Sequence, residues 1–223
     1  MFFEPTRFLL LENRLYHYAW GSHSQNGVLP YLAELLDLSD DGRPLAELWI
    51  GAHPSMPSAV HIDGEKVFLD ALIRQFPNEI LGQPCRAAGF QTLPFLMKIL
   101  SCERPLSIQC HPNLKTAARL HEQFPDRYPD SNHKPEILLA LTPFETLAGF
   151  RKPTEIHDSI AKRGLFQEWL ELRKDGDIRS FCQALFTLPE EVLQRILQRA
   201  ADTLKNCTAL HSCERVFLRL MRE

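Results

Sequence analysis

Two short polar clusters stand out between residues 93 and 151. The first is Ser107-Ile108-Gln109-Cys110-His111-Pro112 and the second is Asn132-His133-Lys134-Pro135-Glu136. Side chains on a strand alternate between faces, so a strand over the first cluster makes Gln109 and His111 same-face neighbours. The second cluster adds an imidazole, an ammonium and a carboxylate. An amide oxygen, a neutral imidazole nitrogen and a carboxylate form a donor set for a divalent metal of N/O preference, zinc above all. The plainer reading is a solvated strand face, since short motifs match by chance. The surroundings favour a ligand. Leu93-Pro94-Phe95-Leu96-Met97-Lys98-Ile99-Leu100 is an apolar run holding one lysine, and Ile137-Leu138-Leu139-Ala140-Leu141 follows directly on Glu136. Read as two buried strands, these runs hold polar groups that need partners, because burying them unpaired is costly.

Around these clusters the chain resembles a known family. Tyr128-Pro129-Asp130-Ser131-Asn132-His133-Lys134-Pro135-Glu136 is similar to the Y-x-D-x-N-H-K-P-E signature of type I phosphomannose isomerases, with every fixed position matched. Leu106-Ser107-Ile108-Gln109-Cys110-His111-Pro112 resembles that family's zinc-binding strand. Tyr18-Ala19-Trp20-Gly21-Ser22, Ala46-Glu47-Leu48-Trp49-Ile50-Gly51-Ala52-His53-Pro54, the run around Lys98, Ala140-Leu141-Thr142-Pro143-Phe144 and Gly149-Phe150-Arg151 follow in the family's order. The resemblance implies a mixed β and α chain. Residues 1–151 would form the N-terminal part of a cupin-like (jelly-roll) catalytic domain, incomplete here, and residues 152–223 an all-α helical domain. It implies interconversion of mannose 6-phosphate and fructose 6-phosphate with one zinc ion. Gln109, His111 and Glu136 would be zinc ligands. Lys98, Lys134 and His133 would line the catalytic pocket, with Trp20, Glu47 and Ser107 at the substrate.

The sequence also departs from the family. The usual fourth zinc ligand is a downstream histidine in a second signature containing H-A-Y and S-D-N, and neither string occurs here. A downstream arginine, the strands that close the barrel and a second cupin domain are expected and not found. The expectation is therefore a truncated or partial isomerase with little turnover in isolation, its unpaired strand edges prone to association. The alternative is a non-catalytic remnant that binds metal or sugar phosphate. A cupin-like metalloenzyme of another substrate is the weakest reading, given how closely the His-Lys-Pro-Glu context fits.

Composition sets the remaining bounds. With 44% hydrophobic and 24% charged residues, the chain has the profile of an ordinary globular protein. A net charge of −3 gives no reason to expect a nucleic-acid partner. A sugar phosphate needs local positive charge instead, which Lys98, Lys134 and Arg151 can supply. Six cysteines without a C-x-x-C pair point to free thiols and a reducing cytoplasm. The N-terminus has no signal-peptide pattern, and no apolar run approaches the roughly 20 residues of a membrane span.

Periodicity places the elements. Strand-like pieces are expected at residues 8–11, 15–16, 46–50 and 60–62, the last before an Asp63-Gly64 turn. Helical spacing is expected within 28–38, from Val67 to Phe76, and from about Asn113 through Phe124. Residues 80–89 read as surface loop, His53 as a turn-shaping residue and His121 as solvent-facing. Glu47 reads equally as a rim carboxylate or part of a pocket. Beyond Arg151 only helices are expected. One is closed by Gly164, one lies over Leu165 to Leu172, one opens on a Thr187/Glu190 capping box, and one ends the chain.

Overall fold

The computed structural model describes residues 8–166 and 178–222, with five strands and eight helices among them. They fall into two compact units, Met1–Glu136 and Ile137–Glu223. The helix expected over Leu165 to Leu172 lies largely outside the described residues.

The first unit is built around β2 (Glu47–Ile50). It is flanked antiparallel by β1 (Arg14–Tyr16) and β5 (Met97–Leu100), in the order β1-β2-β5. Register sets Leu15 opposite Leu48 and Leu48 opposite Ile99. This apolar rung packs against the short helix α1 (Tyr31–Leu35) through buried Leu32 and Ala33. Because side chains alternate, the opposite face carries Tyr16 across from Glu47 and Trp49 across from Lys98. One face is core; the other is polar and aromatic.

The hairpin β3 (Ala59–Ile62) and β4 (Glu65–Phe68) turns at Asp63 (φ 52°) and Gly64 (φ 84°). Two consecutive left-handed residues give the turn whose twist matches a two-residue hairpin. The hairpin and residues 9 and 11 enclose Leu72 of α2 (Leu69–Gln75). Ile73 and Leu69 of the same helix meet Leu81 of α3 (Pro77–Ala87). Ser58, fully buried, ties these parts together. Its hydroxyl donates to Asn13 Oδ1 at 2.8 Å and accepts from the Gly51 N–H at 3.0 Å. Its backbone N–H donates to the Gly51 carbonyl, and its own carbonyl accepts from Leu69 N–H. Beside the hairpin, Lys66 and His61 both bond the Glu12 carboxylate and hold its pKa down to about 2.

In the second unit α5 (Pro153–Arg163) ends on Gly164 in the left-handed region (φ 63°), as glycine permits. Ile160 and Leu165 pack with Ala200 and Leu204 of α7 (Glu190–Lys205) and with Phe217 of α8 (Ser212–Leu220). The Arg163 guanidinium donates to both carboxylate oxygens of Glu214, at 2.8 and 3.0 Å. Among the described residues the unit has no strand, and no described helix is long and apolar enough to cross a membrane.

Several expectations need correction. Neither residues 105–113 nor residues 132–140 form a strand. An extended segment becomes a strand only through a ladder partner, and these find none among the described residues. Their apolar side chains stay out of the core, with Ile108 85% and Ile137 100% exposed. Val67 and Phe68 belong to β4, because hairpin pairing captured them ahead of the helix. Residues 80–89 are mostly α3, whose axis breaks at Gly82 (φ 72°) so that Pro84 can be accommodated. Thr187 ends α6 (Ile178–Thr187), and its hydroxyl bonds back to the Gln183 and Ala184 carbonyls. Helix α7 therefore opens on Pro189 without the expected capping box. His121 is half-buried, its Nδ1 against the Tyr128 carbonyl.

Ser58→Ala removes the hydroxyl joining Asn13 to Gly51, leaving a buried N–H and an amide oxygen without that partner. It will lower unfolding free energy by about 1–3 kcal/mol, read as a drop in urea midpoint. The Glu12 carboxyl will titrate near 2 by NMR. In Lys66→Met it will move back toward 4.5, because the hydrogen bond that lowers it most is gone. The stabilisation from this carboxylate is present above pH 4.5 and is lost as pH falls toward 2.

Candidate active site

The polar face of the three-stranded sheet carries a connected set of side chains. Glu47 is buried, its side chain 11% exposed. A buried carboxylate needs donors, and it has two: Lys98 Nζ donates to Oε2 at 3.3 Å, and the Trp49 indole N–H donates to the same oxygen. The Lys98 ammonium also stands 4.2 Å from the Trp49 ring centroid, a cation–π contact. Strand register explains the grouping, since Glu47 and Trp49 are two apart on β2 and Lys98 is the cross-strand partner of Trp49.

An aromatic row continues from this point. Trp49 meets Tyr16 at 4.6 Å between centroids, Tyr16 stacks on Tyr18 at 4.9 Å, and Tyr18 stacks on Trp20 at 5.5 Å. Burial, then Tyr16 and Glu47, raises the Tyr18 pKa. Trp20 is fixed by its backbone, whose carbonyl accepts from the N–H groups of Glu103 and Arg104. At Gly21 a side chain would strike the Leu45 carbonyl carbon at 2.7 Å, so this crossing admits only glycine.

On the other side of Trp49, His53 packs its ring edge-on at 4.9 Å. Its Nδ1 accepts from the Ser55 N–H at 3.2 Å and contacts the Ser55 hydroxyl at 2.8 Å. The neutral tautomer therefore carries its hydrogen on Nε2. Loss of hydration lowers the His53 pKa, the Lys98 charge lowers it further, Asp130 opposes them, and Lys134 adds the least lowering. His53 thus lies in the field of both the sheet lysine and the residue 130–134 loop.

The metal candidates lie in the non-regular segments. His111 Nε2 is 2.8 Å from Glu136 Oε2, although 25 positions separate them in sequence. Helix α4 (Leu114–Gln123), opened by Asn113 accepting from the Thr116 N–H, follows His111 closely. On the Glu136 side, Asp130 accepts from the Asn132 N–H and shapes the approach. Gln109, Ser107 and His133 are exposed and have no hydrogen-bond partner among the described residues. Among those residues no three His, Cys, Asp or Glu side chains converge as a metal site. The pair's donor types nevertheless suit zinc. Tetrahedral ligands with bonds of about 2.0–2.1 Å sit about 3.3 Å apart, so two donors at 2.8 Å need open only slightly.

The structure therefore joins Glu47 with Lys98, and His111 with Glu136. Trp20 reaches Glu47 through Tyr18, Tyr16 and Trp49. Sequence reasoning gave Trp49, Tyr16 and Tyr18 no role and gave His53 only a turn. The signal was present in the alternation Tyr16-x-Tyr18-x-Trp20 and Glu47-x-Trp49, which sets each series on one face.

A family model described as phosphomannose isomerase type I, catalytic domain, matches residues 8–153. The chain belongs to the type I phosphomannose isomerase family. Human mannose-6-phosphate isomerase is 42% identical over 164 residues, covering 67% of this chain and 36% of that protein. The Ogataea parapolymorpha enzyme of the same name is 34% identical over 196 residues, covering 85% and 45%. A crystal structure of mannose 6-phosphate isomerase from Salmonella typhimurium, bound to substrate and a zinc atom, superposes with a TM-score of 0.82. It is 28% identical, covering 96% of this chain and 56% of that one. The chain thus spans less than half the length of the human and Ogataea parapolymorpha enzymes.

His53 will titrate below 6.5. Lys98→Met will shift that midpoint upward and Asp130→Asn will shift it further down. NMR observation of the His53 ring protons across pH checks both signs.

Proposed function

We propose that this chain carries the metal-binding half of an aldose–ketose isomerase site for mannose 6-phosphate and fructose 6-phosphate. The observation that supports it most is the meeting of His111 Nε2 and Glu136 Oε2 at 2.8 Å, inside the two family motifs. Gln109, His111 and Glu136 would hold a zinc ion. When bound, zinc supplies Lewis-acid polarisation of the sugar oxygens.

The chain's own residues account for the rest. Isomerisation moves a proton between adjacent carbons through an enediol, so negative charge develops on oxygen. Lys98, held in place by Glu47 and Trp49, sets a positive charge beside that oxygen. Lys134 and His133, on the exposed loop, serve proton transfer and the phosphate. Trp20, Glu47 and Ser107 bound the sugar. Neutral His53 adds an Nε2–H donor at the same face.

The fold reading that goes with this is a cupin-like jelly-roll, of which residues 1–151 supply the N-terminal part and residues 152–223 the helical domain. The family match ending at residue 153 supports that boundary. A cytoplasmic setting is supported by six free thiols, with no disulfide among them.

The test is direct. Zinc content should fall at least roughly tenfold in Gln109→Ala, His111→Ala and Glu136→Ala, since even residues that only support metal ligands are worth that much. Unchanged zinc in all three would remove them from the site. A coupled assay for fructose 6-phosphate from mannose 6-phosphate, with and without added zinc, then separates the two functional readings. Zinc-dependent turnover identifies the isomerase. Zinc and sugar-phosphate binding without turnover identifies the non-catalytic form.

A further inference from the structure

Trp49 stands where three functional side chains meet. Its ring face lies under the Lys98 ammonium at 4.2 Å. Its N–H bonds the Glu47 oxygen that also accepts from Lys98. Its edge-on neighbour at 4.9 Å is His53. Lysine is a point charge on a flexible four-carbon stem and does not keep one position unaided. Glu47 alone restrains it along one line, at 3.3 Å. The indole adds a second direction from the ring face, and its N–H fixes the carboxylate that supplies the first. Ring, carboxylate and ammonium form a closed triangle on one face of the sheet.

We propose that Trp49 is a positioning residue: its indole holds the Lys98 ammonium and the Glu47 carboxylate in the orientation needed to receive a sugar phosphate. The role Trp49 serves rests on the isomerase reading; the triangle itself does not. Trp49 exchanges no proton with substrate and acts through Lys98. An aromatic ring at this position carries out half of the function, and the indole N–H the other half. Phenylalanine retains the first, and leucine neither.

The experiment reads the triangle and the sugar site separately. With 13C-labelled lysine, the Lys98 ε-methylene resonance is assigned by its loss in Lys98→Met. In the unaltered chain it should lie upfield through the ring current of Trp49 and show a nuclear Overhauser contact to the indole protons. Trp49→Leu should return it to the position of a free lysine, and Trp49→Phe should keep part of the displacement. Affinity for mannose 6-phosphate, by calorimetry, should fall about tenfold in Trp49→Leu, the scale of one lost cation–π contact. In Trp49→Phe it should be largely rescued. An undisplaced Lys98 signal, or no contact to the indole, in the unaltered chain overturns the proposal without recourse to any variant. Equal affinity in Trp49→Leu and the unaltered chain overturns it too. If the unaltered chain binds no sugar phosphate while the Lys98 signal behaves as described, the isomerase reading fails and the triangle stands.

Discussion

A buried carboxylate on the polar face of a small sheet is the constraint from which the first unit's site follows. Glu47 is almost wholly withdrawn from water, and an unpaired charge there would cost several kcal/mol. The chain answers with a lysine from the next strand and an indole N–H from the same strand. Both partners arrive by register alone: two residues along β2, one rung across to β5. The same alternation sends Leu48, Leu15 and Ile99 to the opposite side, where α1 covers them. Core and site are thus two faces of one three-stranded object, and neither can shift register without losing the other.

The residues on the extended segments obey different physics. His111 and Glu136 meet outside any ladder, with side chains 28% and 56% exposed. Water competes for both, so their hydrogen bond adds little to stability. What brings them together is the chain around them: an Asn113-capped helix just after one and an Asp130 turn before the other. Groups that are weakly committed to one another are free to take a third partner.

Much of this organisation was legible from residue pattern. The Asp63-Gly64 turn, the helix start near Asn113, the Gly164 stop and the helical character of the described part of residues 152–222 each depend on local backbone chemistry, and each was expected. Pairings that needed a distant partner were not. Ser107 to His111 has strand alternation, yet alternation describes only what a strand would do if paired. Val67 and Phe68 have helical spacing with Leu72, yet two consecutive left-handed residues at 63 and 64 had already committed them to a hairpin. Thr187 has the spacing of a cap, but a helix that continues to it uses its hydroxyl otherwise.

The amino-acid order by itself determined which donors this chain can offer: an amide, an imidazole and a carboxylate for a metal, and lysines for an anion. It did so because ligand chemistry resides in single side chains and motif spacing preserves their order. Only the folded chain decided that Trp49, assigned no role in advance, stands between Glu47, Lys98 and His53. That outcome depends on β2 pairing with β5 about 50 residues away. Cross-strand register is a property of two segments jointly, and neither segment encodes it alone.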